Sequence, residues 1–348
     1  MKTTKSEFLS FNLTWVAAAG LVSAWCLQPA FAAEPAAAPV EAESIAHNNW
    51  REFMTKNPAA EDGCFKAEYP SYAWEPMACK TLAPRARPMP RKPKIEAETV
   101  GNGNDFVASA AGLITKTLGT FPKVTGVKSE TGVGVAAFGG GGILGPNEYT
   151  LQINTNFTGT TVACRGHNGC TVWQQFIYAP DFQVQGEAAV FMQYWLINFG
   201  SLRCPGGFMS DGAGDCFGNS RAVAAPDVPI TALGSLTLSG SAVAGGNDTV
   251  VFNDGGRVFS VSGKDTMLDI AQVWRQSEFN VVGNAGGSEA DFNAGSSVTV
   301  KIALTDGSTA APRCVANSGS TGETNNLNLG TCSTAGGATP SVQFTESN

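Results

Sequence analysis

Histidine is almost absent from this chain: His47 and His167 are the two in 348 residues. Neither a Gly-x-Ser-x-Gly nor a Cys-x-x-Cys sequence occurs. A Ser-His-Asp hydrolase and a zinc site of the usual ligand spacing are therefore disfavoured. The run Gly139–Gly142 lacks the Lys-Ser/Thr ending of a phosphate-binding loop, and the loop Cys204–Cys216 lacks the aspartate spacing of a calcium-binding loop. We expect no metal and no organic cofactor.

Charge is scarce as well. Charged residues make up 15% of the chain, and the formal net charge is −7. A duplex nucleic acid requires a basic face on its partner, so we expect no nucleic-acid ligand. Beyond residue 32, no hydrophobic run is long enough to cross a bilayer, so we expect no membrane span.

The first 32 residues are typical of an export signal. Two lysines precede the apolar run Trp15–Leu27, and Ala30–Ala32 offers the small-x-small pattern of a cleavage site. A lipoprotein signal would use Cys26, but the bulky Trp25 directly before it disfavours that alternative. We therefore predict an exported protein, either periplasmic or extracellular.

Cysteine spacing agrees with export. Eight cysteines remain after the signal, in four close sequential pairs, as expected for disulfide-closed surface loops in an oxidising compartment. A metal site is the alternative, and the scarcity of histidine disfavours it. The predicted disulfides are Cys64–Cys79, Cys164–Cys170, Cys204–Cys216 and Cys314–Cys332.

Composition and pattern favour a mainly β protein. Glycine accounts for 41 residues, and short strand-like runs follow one another closely, with the clearest hairpin over Val250–Val261. We predict an antiparallel β-sandwich or jelly roll, with short helices over Asp105–Gly119 and Thr266–Gln276. The predicted organisation is a signal peptide (1–32), a disordered lead-in (33–48), a small disulfide-clipped unit (49–80), a proline-rich basic linker (81–99), the β-sandwich domain (100–305) and a Gly/Ser-rich tail tied by a disulfide (306–348).

The basic linker has three interpretations. Charge runs are usually solvated, which favours a plain spacer. It could also be a processing site, which would make residues 33–98 a propeptide, or a segment that touches an anionic envelope surface.

The chemistry-bearing residues concentrate in three runs, Tyr149–Phe157, Thr171–Tyr178 and Val190–Phe199. The first alternates apolar and polar residues, which predicts a half-buried strand. The other two are apolar on both faces, as in strands at the centre of a sandwich.

Glutamine and tryptophan share strand faces in these runs: Trp173 with Gln175, and Gln193 with Trp195. Amides both donate and accept hydrogen bonds, and indole rings stack on sugar faces or apolar side chains. The pattern is therefore typical of a carbohydrate- or peptide-binding face. The alternative is that the rings are sandwich core and the amides satisfy other buried groups. The candidate binding residues are Gln152, Trp173, Gln174, Gln175, Gln193, Tyr194 and Trp195.

Three carboxylates close to predicted strands, Glu148, Glu187 and Glu278, are candidates for acid–base chemistry. A glycosidase would need two of them facing each other across a few ångströms. The alternative is that each is a solvated carboxylate at a strand end.

The order of these motifs resembles that of the eqolisins, secreted glutamic peptidases with a concanavalin-like double β-sheet. In this resemblance Thr171–Tyr178 matches the strand with the catalytic Gln, with Gln174 or Gln175 in its place. Phe191–Trp195 matches the strand with the catalytic Glu. The later segments of the family are matched by Val273–Phe279 and Ser297–Leu304.

The chain departs from that family at the position of the catalytic Glu, which is Gln193 here, and an amide cannot transfer the proton. The resemblance thus implies a non-catalytic relative or a carboxylate moved elsewhere. The candidate catalytic residues are Gln175, Gln193, Glu278 and Glu148. The clipped N-terminal unit and the three runs also resemble a set of uncharacterised exported bacterial β-sandwich proteins, which implies no activity.

Two hypotheses follow for function. The first is a binding protein whose Gln/Trp face engages a carbohydrate or an extended peptide. The second is an acid-acting hydrolase of the glutamic-peptidase type, with residues 33–98 as its propeptide.

Overall fold

The computed structural model describes residues 39–82, 106–136, 140–182, 186–201, 203–316 and 323–348. The predicted export signal and residues 83–99 of the predicted linker lie outside these ranges. One α-helix, α1 (Pro39–Lys56), and short 3₁₀ turns accompany the strands. The strands are β1 (Cys64–Glu68), β2 (Glu75–Met77), β3 (Lys80–Thr81), β4 (Phe106–Ser109), β5 (Lys116–Thr125), β6 (Glu130–Gly134), β7 (Gly145–Pro146), β8 (Tyr149–Thr155), β9 (Thr171–Ala179), β10 (Ala189–Ile197), β11 (Met209–Ser210), β12 (Cys216–Asn219), β13 (Arg221–Ala224), β14 (Thr237–Ser241), β15 (Asn247–Asn253), β16 (Arg257–Lys264), β17 (Gln276–Gly283), β18 (Ser288–Phe292), β19 (Ser297–Thr305), β20 (Arg313–Ala316), β21 (Thr324–Asn325), β22 (Asn328–Ala335) and β23 (Ser341–Ser347).

Two large sheets pack face to face, which confirms the predicted antiparallel β-sandwich. Within the described ranges, a nine-stranded sheet has the order β2-β1-β16-β15-β14-β5-β19-β23-β22. A ten-stranded sheet has the order β11-β12-β10-β9-β8-β17-β4-β20, and β13 joins β10 to β3. A small sheet, β21-β18-β6-β7, contains the parallel pair β18/β21.

The hydrophobic core lies between the two large sheets. Strands β8, β9 and β10 cover the three predicted runs and lie in the interior of the ten-stranded sheet, as expected. Their inward side chains, such as Leu151, Phe176 and Tyr178, are buried against residues of the facing sheet, such as Phe252. Alternate residues point to the opposite face, which we call the outer face.

Two glycines allow the sheets to approach. A β-carbon added at Gly240 on β14 would lie 2.5 Å from the Phe176 ring, and one added at Gly119 on β5 would lie 2.2 Å from the Phe279 ring. Both distances are far inside van der Waals contact, so the rings of one sheet occupy the space that side chains of the other would need.

The predicted helix over Asp105–Gly119 is wrong. This segment forms β4 and the start of β5, and β4 pairs with β17 and β20. Short apolar runs fit either period, and here strand pairing decides. Over Thr266–Gln276, two 3₁₀ turns replace one helix, because Asp269 between them has a left-handed φ of 56°.

The two ends of the described chain also differ from expectation. Helix α1 covers Pro39–Lys56, so the chain is helical in the second half of the predicted disordered lead-in; Pro39 at its first turn and the following alanines and glutamates favour that start. Strand β1 pairs with β16 and so extends the nine-stranded sheet. In the predicted tail, β23 pairs with β19 and buries Val342 and Phe344, which gives the tail a real share of the core.

Four disulfides join the cysteines in sequential pairs. They are Cys64–Cys79, Cys164–Cys170, Cys204–Cys216 and Cys314–Cys332.

The hairpin of β15 and β16 is the one predicted over Val250–Val261. No helix of the described residues has both the length and the apolar character to span a bilayer.

Candidate functional site

A row of polar side chains crosses the outer face of the ten-stranded sheet. Antiparallel register places one residue from each of five neighbouring strands directly opposite the next. Paired residues share a face and have β-carbons about 4.5–5.5 Å apart, so the five side chains form one continuous line. This polar row is Glu278, Asn154, Gln175, Gln193 and Asn219.

Hydrogen bonds connect the amides of this face. Asn219 Oδ1 accepts from Gln193 Nε2 at 2.9 Å, and the indole Nε1 of Trp195 donates to Gln193 Oε1 at 2.9 Å and to Gln175 Oε1 at 3.2 Å. Gln175 Nε2 then donates to Gln152 Oε1 at 2.8 Å. The connections fix the orientation of these four amides, because each of their oxygens receives a donor.

Two carboxyl groups flank these amides: Glu323 ends the network, and Glu278 is bonded to Asn154, which lies beside it. Gln152 Nε2 donates to Glu323 Oε2 at 2.6 Å, and Asn154 Nδ2 donates to Glu278 Oε2 at 3.1 Å. Both glutamates are buried, with 8% and 2% of their surface exposed. The outer face therefore carries two carboxylates held by amide donors, next to the Gln175–Gln193 pair.

An aromatic row runs beside the polar row. Phe217, Trp195 and Trp173 face one another across β12, β10 and β9, with Phe157 beyond. The ring centroids are 5.1 Å apart for Trp195 and Phe217, 6.2 Å for Trp173 and Trp195, and 5.3 Å for Phe157 and Trp173. This is the spacing of attractive ring pairs, so the row is a packed apolar strip.

Three buried polar atoms of the polar and aromatic rows have no hydrogen-bond partner in the described part of the chain. They are the donors Trp173 Nε1 and Asn219 Nδ2 and the acceptor Asn154 Oδ1. Buried polar atoms in native proteins are almost always satisfied, by protein, water or ligand. Their shared position makes this face the strongest candidate for a ligand site.

The face is most accessible at one end. Trp173, Gln175 and Trp195 expose 1%, 3% and 5% of their surface, whereas Gln193 and Asn219 are half-buried. A ligand would therefore meet Gln193 and Asn219 first.

Gln174 and Tyr194 do not belong to this face, because their side chains point between the two sheets. Gln174 Nε2 donates to Asp248 Oδ2 at 2.9 Å, and the Tyr194 hydroxyl lies against Gly263. Burial, and then the nearby Asp265, raise the pKa of Asp248 well above its ordinary value. The raised pKa favours the neutral form of this carboxyl group within an interior polar cluster.

Glu148 belongs to a separate cluster of carboxyl groups just before the N-terminal end of β8. Four residues separate it from Gln152, about 13 Å along a strand, so it does not reach the amides. Burial, and then Asp181, raise its pKa to about 8, and Asn284 Nδ2 donates to its Oε2 at 3.2 Å. Glu187 is exposed and pairs with Lys80 at 3.5 Å.

The structure thus brings together Gln152, Trp173, Gln175, Gln193, Trp195 and Glu278 from the candidate residues. Sequence reasoning missed Asn154, Asn219 and Glu323. Asn154 carried a signal, since it lies two residues from Gln152 on the same strand face. Asn219 is the last residue of the short strand β12, which follows a disulfide loop, and Glu323 lies in the Gly/Ser-rich tail. No periodic pattern points to either residue.

The described ranges contain no group of three or more His, Cys, Asp or Glu side chains arranged to hold a metal ion. The chain matches no protein-family model and no curated protein.

Among solved structures, the chain is similar to SCP-B, a member of the eqolisin family of peptidases, in complex with the tripeptide Ala-Ile-His. The identity is 10% and the TM-score 0.29, over 72% of this chain and 98% of that one. It is also similar to scytalido-glutamic peptidase with a peptide-based transition-state analogue, at 12% identity and a TM-score of 0.31, over 72% of this chain and 100% of that one. Likeness at such TM-scores carries no inference about function.

Proposed function

We propose that the outer face of the ten-stranded sheet is a binding site for a carbohydrate or an extended peptide. The observation that carries the proposal is the set of three buried, unpartnered polar atoms, Trp173 Nε1, Asn219 Nδ2 and Asn154 Oδ1, on one face. Two are donors and one is an acceptor, a mixture that suits sugar hydroxyls or peptide amide groups. The buried aromatic row packs beside these atoms, and the half-buried Gln193 and Asn219 add polar groups that a ligand can reach.

Charge restricts the ligand further. Glu278 and Glu323 bring two carboxyl groups to this face, and each accepts a hydrogen bond from an amide side chain. An ionised carboxyl group repels an anion and a neutral one offers it no compensating charge, so the proposed ligand is neutral or cationic. Uncharged glycans and peptides with lysine or arginine fit, and sulfated or phosphorylated ligands do not.

Binding is tested with Gln193→Ala and Asn219→Ala, the half-buried residues at the accessible end. Loss of one ligand hydrogen bond is expected to weaken binding on a glycan or peptide array by about 1 kcal/mol, or roughly fivefold. Gln343→Ala, an exposed glutamine on β23, is the matched control and should bind as wild type does. The proposal fails if both site variants fold and keep wild-type affinity.

A second candidate is an acid-acting hydrolase, and one observation favours it: Glu278 and Glu323 are held by amides beside the Gln175–Gln193 pair. A carboxyl can transfer a proton where Gln193 cannot. The propeptide part of this hypothesis has less support, because removal of residues 33–98 would take β1 out of the nine-stranded sheet.

The hydrolase is tested with the full chain and with chain cut within residues 83–99, on denatured protein substrate from acidic to neutral pH. Activity that disappears in Glu278→Gln or Glu323→Gln would support it, and Glu187→Gln serves as the exposed control. Absence of cleavage in every wild-type sample would rule it out while leaving the binding proposal intact.

Export belongs to the proposal as well. The N-terminal 32 residues have the pattern of a cleaved signal, and the four disulfides suit an oxidising compartment. We infer that the mature protein works in the periplasm or outside the cell. Mass spectrometry of the secreted or periplasmic form should show a chain that begins after Ala32.

A further inference from the structure

A cavity of about 490 Å³ lies on the other sheet, between α1 and the outward face of β5, β14 and β19. It is separate from the outer face of the ten-stranded sheet, which carries the proposed binding site. Its volume is in the range of small-molecule sites. Its walls combine basic, hydroxyl and apolar side chains, and the three groups occupy different parts of the cavity.

The sheet side of the cavity carries a polar row of its own. Register places Thr237 of β14 opposite Thr120 of β5, and Thr120 opposite Lys301 of β19. Gly240 faces the other sheet, so Thr237, three residues earlier on the strand, faces outward. The Thr237 hydroxyl is buried and has no hydrogen-bond partner within the described residues. The row therefore presents a free hydroxyl and an ammonium group to the cavity.

The helix side carries Arg51 and Thr55, which are four residues apart and thus share one face of α1. Arg51 Nη2 donates to the Ser235 carbonyl, which fixes the guanidinium over the sheet. Arg51 Nε is buried and lacks a partner in the described ranges. A second donor without an acceptor thus faces the same cavity as the Thr237 hydroxyl.

Positive charge dominates the cavity. Its lining includes Arg51, Lys56 and Lys301 but one acid, Glu52, which pairs with Lys56 at the solvent-exposed rim. Arg51 and Lys301 form no ion pair with any described residue. The charge of Asp254 acts on Arg51, but Asp254 is paired with Arg257 and does not line the cavity. A protein of net charge −7 would be expected to neutralise such a group, so this local excess of positive charge is informative.

The pKa of the buried Lys116 is affected by the same local excess of positive charge. Its amine donates to the Thr55 carbonyl behind the cavity. Burial, and then the charge of Lys56, lower its pKa to about 8. An anion in the cavity would offset both effects, since it stabilises the ammonium form.

The remaining wall is apolar. Leu118, Leu236, Phe121 and Ala303 line the cavity beside the basic groups. A simple inorganic anion would leave this wall without a partner, whereas an anion with a hydrocarbon part would cover it.

We propose that this cavity binds a small organic carboxylate, with the carboxylate between Arg51, Lys301 and the Thr237 hydroxyl and the hydrocarbon part against Leu118 and Leu236. Arg51 offers a charge-assisted hydrogen bond, Thr237 a neutral one and Lys301 a point charge.

The test is a calorimetric titration of the full chain with phenylacetate, phenylacetamide and inorganic phosphate. Phenylacetamide has the same ring without the charge, and phosphate has charge without the ring. Phenylacetate is expected to bind at least about tenfold more tightly than either, because it alone satisfies both parts of the cavity.

Variants locate the binding. Lys301→Gln and Arg51→Gln should each weaken phenylacetate binding by about tenfold. Lys123→Gln, an exposed lysine on β5 outside the cavity, should leave it unchanged. Thermal unfolding of each variant checks that Arg51→Gln still folds, and Lys301→Gln changes a side chain that forms no hydrogen bond or ion pair with the described residues.

A wild-type protein that binds no phenylacetate in the millimolar range would overturn the proposal. So would a Lys301→Gln variant with wild-type affinity, since binding would then lie elsewhere. Phosphate binding as tight as phenylacetate binding would overturn the choice of an organic anion. A rise in the Lys116 amine pKa on phenylacetate addition, followed by NMR, would support it independently.

Discussion

Trp173 and Trp195 are neighbours in register with similar burial, yet their indole nitrogens differ. Trp195 Nε1 donates to both Gln175 and Gln193, and Trp173 Nε1 has no partner within the described chain. Trp195 therefore orients the amides, whereas the Trp173 indole nitrogen is available to donate to a ligand. It also offers a pair of variants that change the same chemical group in two contexts.

We expect Trp195→Phe to lower the free energy of unfolding by about 1–3 kcal/mol more than Trp173→Phe does, because it leaves the buried Gln175 oxygen without a donor. Both changes remove the same atoms, so the cost of the smaller ring largely cancels. Urea unfolding of the two variants measures the difference. Equal losses would mean that the indole hydrogen bonds of Trp195 add nothing to stability.

Single residues also show where sequence reasoning stops. The alternation around Gln152 and the shared face of Trp173 and Gln175 follow from a two-residue period and were predictable. The meeting of Glu278 with Asn154 depends on strand register, and Glu323 reaches Gln152 from a distant segment. Register and long-range contacts arise from packing of the whole sandwich, which a local pattern does not encode.

At the scale of elements, the strands with strong patterns, β8, β9 and β10, were predictable, and weakly patterned ones were not. The segment that forms β4 and β5 has an apolar spacing that also fits a helix. Strand pairing decides, and Gly119 permits the strand to pack because it lets Phe279 of the facing sheet approach. The need for a glycine at this position comes from the facing sheet, so the local sequence does not reveal it.

The close approach of the sheets gives a prediction. Gly240→Ala should destabilise the fold by about 1–3 kcal/mol, since its methyl group would overlap the Phe176 ring. Gly256→Ala is the control, because no atom lies within 4 Å of a β-carbon there. Thermal or urea unfolding measures both. Adding Phe176→Leu to Gly240→Ala should recover part of the loss, and a double variant that is simply additive would contradict the overlap.

Across the whole molecule, several carboxyl groups are buried, and burial raises the pKa of each. Burial, and then Glu148, raise the pKa of Glu130 to about 8, and both Glu130 oxygens lack a hydrogen-bond partner within the described ranges. Glu148 and Asp248 shift in the same direction. Such groups are neutral in the folded protein at mildly acidic pH, where an unfolded chain already carries their charge.

We therefore expect stability to fall as pH rises. With a folded pKa of about 8 and an ordinary value of 4.5, the contribution of Glu130 is fully present below pH 4.5 and is lost as pH rises through 8. The slope approaches about 1.4 kcal/mol per pH unit for each such group between these limits. Urea unfolding at pH 5, 7 and 8.5 measures this.

Glu130→Gln keeps the shape of the side chain and removes the titration. Its stability relative to wild type should increase with pH, whereas Glu187→Gln, at an exposed site, should follow wild type. A Glu130→Gln variant whose stability changes with pH as wild type does would show that Glu130 ionises freely in the folded state.

The nine-stranded sheet takes its edges from opposite ends of the chain: β1 and β2 at one edge, β22 and β23 at the other. A ribosome makes Cys64 long before Val261, its partner in register. At about 5–20 residues per second, β1 waits roughly ten seconds or more for β16. During that time β2 is the local partner that protects one side of this strand from pairing with other chains, and the disulfide Cys64–Cys79 joins the two once the chain is in an oxidising compartment.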